Sequence, residues 1–128
     1  MQYRAEIIKG KGRGKTVVGF PTFNLKIPAE FDPKTREGVY ACSVWFDGKK
    51  YAGALHYGPT PTFDEGHSVL EIFVLGYDST DPLSELTFEL GPYLRPVATF
   101  LEPKALRAQI ALDIQRVRRA SAPKKKAE

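Results

Sequence analysis

The chain has 128 residues, with 19 Lys+Arg against 15 Asp+Glu, a formal charge of +4, one Cys and two His. That length suits one domain with one core; the 42% hydrophobic content is too high for a disordered chain, and no apolar run approaches the roughly 20 residues that span a bilayer. The charge is unevenly placed: residues 116–128 hold six basic residues against Glu128 alone, so residues 1–115 are close to neutral, with 13 basic and 14 acidic residues.

Tyr3 to Ile8 is the first predicted strand; the first eight residues contain Arg4 and Glu6 and lack the apolar stretch and small-residue cleavage site of a secretory signal, so none is expected there. The segment that follows, GKGRGKTVVGFPTFN over residues 10–24, alternates glycines with Lys11, Arg13 and Lys15. Glycines let a backbone approach an anion closely, and the N–H groups of such a loop form a phosphate-binding concavity. Gly14-Lys15-Thr16 imitates the end of a P-loop, but the required Gly five residues before Gly14 is Lys9, and Val17-Val18-Gly19-Phe20-Pro21 does not open a helix. The dinucleotide pattern fails as well, because position 17 is not Gly. The loop therefore reads either as a phosphate cradle of another type or as a Gly/Lys surface loop. Thr22 and Asn24, two apart on an extended segment, are expected on one face, where they are neutral oxygen donors for Mg²⁺ or else satisfy backbone in a turn.

Gly38 to Phe46 is a strand that is apolar on both faces, followed by Asp47-Gly48 and a second run from Tyr51 to Tyr57, a strong hairpin signal. The lone Cys42 cannot form an internal disulfide and, with two His, makes a poor zinc set, so a reduced, cytoplasmic setting is expected. Val69 to Tyr77 is the next strand, with Glu71 inside an apolar run. Alternation would put Glu71 with Phe73 and Leu75, and Leu70, Ile72 and Val74 on the other face. Glu71 is either a carboxylate whose burial makes it a general base or a solvent-facing residue of an edge strand. Leu86 to Leu90 ends the strand series. At least five strands without an intervening helix argue for an antiparallel barrel or sandwich.

The predicted helix comes last, starting at Pro103, with Leu106, Ile110, Ile114 and Val117 as its apolar stripe and Arg107, Gln109, Asp113 and Arg116 facing water. Residues 120–128 are expected to be a basic, disordered tail behind a domain of residues 1–119.

Taken in order, Gly12-Arg13-Gly14, Gly19-Phe20-Pro21-Thr22-Phe23-Asn24, Gly38-Val39-Tyr40, Gly58-Pro59-Thr60-Pro61-Thr62-Phe63, the central Glu71 and Leu94-Arg95-Pro96 resemble the riboflavin kinase family over nearly the whole chain. The resemblance implies an all-β fold, a six-stranded antiparallel Greek-key barrel with a C-terminal α-helix. It implies transfer of the ATP γ-phosphoryl group to the 5′-hydroxyl of riboflavin, giving FMN and ADP, with Mg²⁺ as cofactor. Carried over residue by residue, Glu71 is the catalytic base. Gly12, Arg13, Gly14, Lys15, Phe20, Thr22 and Asn24 contact ATP and its phosphates, Thr22 and Asn24 hold the metal, and Leu94 and Arg95 lie near the flavin.

The chain departs from the usual family pattern at Phe23, His56, Thr60 and Phe73, and Phe23 is expected as a large ring beside the site. In bacteria this domain commonly follows an adenylyltransferase domain that makes FAD; nothing in these residues resembles that domain, so FMN is the product expected. A monomer that touches neither membrane nor nucleic acid is expected. Two rival readings stand beside this one. A non-catalytic flavin- or nucleotide-binding module of the same fold is motivated by the departures. A single-stranded nucleic-acid-binding barrel is motivated by the basic loop and the aromatics, against which the near-neutral body counts.

Overall fold

The computed structural model describes residues 2–8, 22–46, 48–59, 68–76, 84–97 and 102–121. Six strands, β1 (Gln2–Ile8), β2 (Thr22–Leu25), β3 (Gly38–Phe46), β4 (Lys49–Gly58), β5 (Val69–Val74) and β6 (Glu85–Arg95), precede one helix, α1 (Pro103–Ser121). They close into an antiparallel barrel in the order β1-β2-β5-β4-β3-β6. Strands β3, β4 and β5 form a meander, and β6 returns to lie beside β3, which is the Greek-key arrangement. In the closed barrel β5 is flanked on both sides, by β4 from Val69 to Val74 and by β2 from Leu70 to Phe73.

The alternation of each strand explains how the barrel fills. Leu25, Tyr40, Cys42, Val44, Phe46, Leu55, Tyr57, Leu70, Ile72, Val74, Leu86 and Phe88 point inward and form one continuous core. Phe31, from the connection between β2 and β3, inserts its ring against Tyr3, Tyr57 and Phe88 at centroid separations of 5.2, 4.9 and 6.2 Å. Phe23 also turns inward, meeting Phe46 edge to face at 6.2 Å, while Phe46 stacks on Tyr51 at 4.9 Å. Strand β3 is apolar on both faces because its outer face is covered as well. Val39, Ala41, Ala54 and Leu75 form a second core with Ile110, Ile114 and Val117 of α1.

The hairpin between β3 and β4 is as tight as Asp47-Gly48 predicts. Phe46 pairs with Lys49, so two residues make the connection, and Gly48 has φ +73°. Strand β5 is shorter than the sequence suggests, ending at Val74 before a turn at Leu75-Gly76. Strand β6 is longer. Gly91-Pro92 reads as a breaker, yet the strand runs on to Arg95 through register shifts against β3 between Tyr40 and Cys42 and again between Val39 and Tyr40. Bulges are where a strand tolerates Pro, and these two bring Tyr93 inward and Leu94 outward.

One expectation for the helix is corrected. Asp113 does not face water: it is 2% exposed and accepts from Arg95 Nε at 2.8 Å and from Arg95 Nη2 at 2.7 Å. Gln109 Nε2 donates to the same carboxylate at 3.1 Å. A buried carboxylate persists only when paired and hydrogen-bonded, and Arg95 supplies a two-pronged partner from the end of β6. The spacing of Asp113 with Ile110, Ile114 and Val117 places it on the buried face; its charge alone had suggested the wet one.

Candidate active site

Strand pairing sets the geometry of the site. Leu70 and Ile72 flank Glu71 and point into the core, so the Glu71 side chain lies on the outer face of β5, half-buried. Asn24 is flanked in the same way by the inward Phe23 and Leu25, and His56 by the inward Leu55 and Tyr57. The register then puts these three residues in one row, Asn24 opposite Glu71 across β2 and β5, and His56 opposite Glu71 across β4 and β5. Directly opposed residues in an antiparallel pair hold their Cβ atoms about 4.5–5.5 Å apart. A carboxylate thus stands between a carboxamide and an imidazole on one face of the barrel.

The row continues to the helix. His56 pairs with Val39 on β3, and Val39 pairs with Arg95 on β6, whose guanidinium holds Asp113. Leu94 packs under α1 against the second core. The two residues expected near a flavin therefore lie at the junction of β6 and α1, three strands along the same course from Glu71. Gly38, the glycine of the Gly38-Val39-Tyr40 motif, fixes this junction. Its φ is +152°, and a Cβ there would come within 2.5 Å of the Arg95 carbonyl oxygen and 2.6 Å of the Tyr93 ring.

The imidazole of His56 is firmly held. Its Nε2 lies 3.0 Å from the Pro59 carbonyl oxygen. A carbonyl only accepts, so Nε2 carries the proton. Burial pushes the His56 pKa below the usual histidine range; the backbone of Pro59 and Gly58 and the Glu37 carboxylate oppose that, while the Arg95 charge adds to it. His56 is the residue of this row whose role the sequence did not assign; its place between the apolar Leu55 and Tyr57 is the signal from which its face could have been found.

The structure brings Asn24 and Glu71 together and sets Thr22 two positions along β2, paired with Phe73. Gly12, Arg13, Gly14, Lys15 and Phe20 lie outside the described residues, as does the stretch from Thr60 to Phe63. Phe23 is not beside the site: strand alternation sends its ring to the opposite face of β2, into the core. A cavity of about 460 Å³ near the C-terminal end of α1, bounded by Ala41, Ser43, Tyr51, Gly91 and Ala120, contains none of the row's residues.

Among the described residues, no three His, Cys, Asp or Glu side chains gather into a metal-binding group. The candidate donor whose side chain is described on β2 is of another kind, the neutral amide oxygen of Asn24. Such a donor suits Mg²⁺, which keeps several waters and binds chiefly through substrate phosphates and one or two protein oxygens. Among the described residues, no helix is long and apolar enough to cross a membrane.

The crystal structure of a macrolide-efflux protein from Streptococcus pneumoniae is similar in fold, with a TM-score of 0.76 and 24% identity. The match covers 91% of this chain and 38% of that one, so the chain spans well under half the length of that relative. The family model for riboflavin kinase, Flavokinase, matches residues 1–121. With the closed barrel, its single C-terminal helix and the ordered motifs in agreement, the chain belongs to the riboflavin kinase family.

Proposed function

We propose that the chain is an ATP:riboflavin 5′-phosphotransferase that makes FMN and ADP, with Glu71 as the general base. The observation that carries this reading is the register that sets the Glu71 carboxylate directly beside Asn24 on the outer face of the barrel. Phosphoryl transfer asks mainly for positioning, neutralisation of phosphate charge and a base at the attacking hydroxyl. Glu71 takes the proton of the ribityl 5′-hydroxyl as its oxygen attacks the γ-phosphorus and ADP leaves. Asn24, with Thr22 two residues before it, would hold Mg²⁺, which when bound neutralises charge on the phosphate oxygens. Gly12, Arg13, Gly14, Lys15 and Phe20 are assigned to the ATP phosphates from the sequence motif, and their cations add to that neutralisation. Leu94 and Arg95 are assigned to the flavin side, where the Arg95–Asp113 pair fixes the end of β6 against α1.

Phe23, one of the three departures that motivate the non-catalytic alternative with His56 and Thr60, packs its ring against the core and Phe46. Incubation with riboflavin and MgATP, followed by chromatography of flavins and nucleotides, tests the reading. Equimolar FMN and ADP are expected; flavin binding without either product contradicts it.

A further inference from the structure

The phosphoryl-transfer reading leaves His56 without a role, although it stands directly opposite Glu71 on the same face of the sheet. A hydroxyl delivered to the Glu71 carboxylate arrives beside an imidazole whose Cβ is about 5 Å from that of Glu71. The ring is fixed by its Nε2–H donation to the Pro59 carbonyl at 3.0 Å. With the proton on Nε2 held by Pro59, the neutral ring keeps its lone pair on Nδ1, which acts as an acceptor, and burial favours that neutral form. A fixed neutral acceptor next to a carboxylate matches a substrate that carries hydroxyls on neighbouring carbons. One hydroxyl gives its proton to the carboxylate, and the other donates a hydrogen bond to the ring.

We propose that His56 is a specificity-determining residue, accepting through Nδ1 a hydrogen bond from the ribityl 4′-hydroxyl while Glu71 deprotonates the 5′-hydroxyl. The proposal rests on the kinase reading. It assigns the polyol chain, and not the isoalloxazine ring, as the part of the substrate sensed at this point of the barrel. An alcohol without the neighbouring hydroxyl satisfies Glu71 and leaves His56 without its donor.

The test measures kcat/KM of the wild type, His56→Asn and His56→Leu on riboflavin and on 4′-deoxyriboflavin. The wild type should favour riboflavin by about ten-fold, the scale of one neutral hydrogen bond. His56→Leu should lose that preference by slowing on riboflavin while holding its rate on the deoxy analogue. His56→Asn, whose amide oxygen accepts, should recover part of it. Equal loss on both flavins would mean a structural role only and overturns the proposal. Equal wild-type rates on the two flavins overturn it without recourse to any variant. Absence of wild-type turnover on riboflavin overturns the kinase reading itself and this proposal with it, an outcome separate from the other two.

Discussion

Cys42 and His56 show how burial sets reactivity one residue at a time. Burial pushes the Cys42 thiol up to about 12, so it stays protonated inside the barrel and behaves as a small core side chain. Burial moves His56 the other way, below the ordinary value of about 6.5 that it has in the unfolded chain. As pH falls through that value, the unfolded chain takes up a proton that the folded one resists. Stability is therefore lost below the unfolded pKa, and the loss levels off once the folded pKa is passed. Denaturation midpoints of the wild type and His56→Gln from about pH 8 to about pH 5 should diverge on the acid side, with the wild type falling more steeply. Parallel curves would show that His56 ionises as readily folded as unfolded.

At the scale of elements, the contact that decides where α1 sits is the Arg95–Asp113 pair. The Arg95 and Asp113 side chains are 15% and 3% exposed, so removing one partner leaves a largely buried charge without its counterion. Asp113→Ala should cost about 3 kcal/mol of stability by chemical denaturation, and pairing it with Arg95→Met should recover much of that. A loss below about 0.5 kcal/mol, the level of an exposed pair, would show that the pair contributes little to docking the helix. The strands and the helix were legible in the sequence wherever one physical signal dominated. Alternation gave Gly38–Phe46 to the residue, and Asp47-Gly48 gave the hairpin. Strand β6 runs past the expected end at Leu90, through Gly91-Pro92, because its pairing with β3 absorbs those residues in register shifts that no local pattern shows. Asp113 was misplaced for a related reason, since a charged residue is buried only when a distant one, here Arg95, reaches it. In the site, the face of Glu71 followed from alternation, but its neighbours Asn24 and His56 came from strand register, which no local pattern encodes.

For the whole molecule, the formal charge of +4 misleads as a clue to partners. The near-neutral body holds the barrel and most of the helix, and the excess sits at residues 116–128. A barrel that bound single strands would need its cations along a groove, because that affinity comes from neutralising many phosphates. Phosphoryl transfer from one ATP asks only for a small group of cations, such as Lys11, Arg13 and Lys15. Deletion of residues 122–128 should leave FMN formation unchanged, and a marked drop in turnover would bring that segment into the catalytic account. The central claim is that Glu71, beside Asn24, is the base for riboflavin phosphorylation, and single-turnover FMN formation by the wild type and Glu71→Gln with MgATP tests it most directly. A fold-preserving Glu71→Gln should be slower by about 10²–10⁴, the range of general-base assistance, whereas equal rates for the two proteins would remove Glu71 from the chemistry.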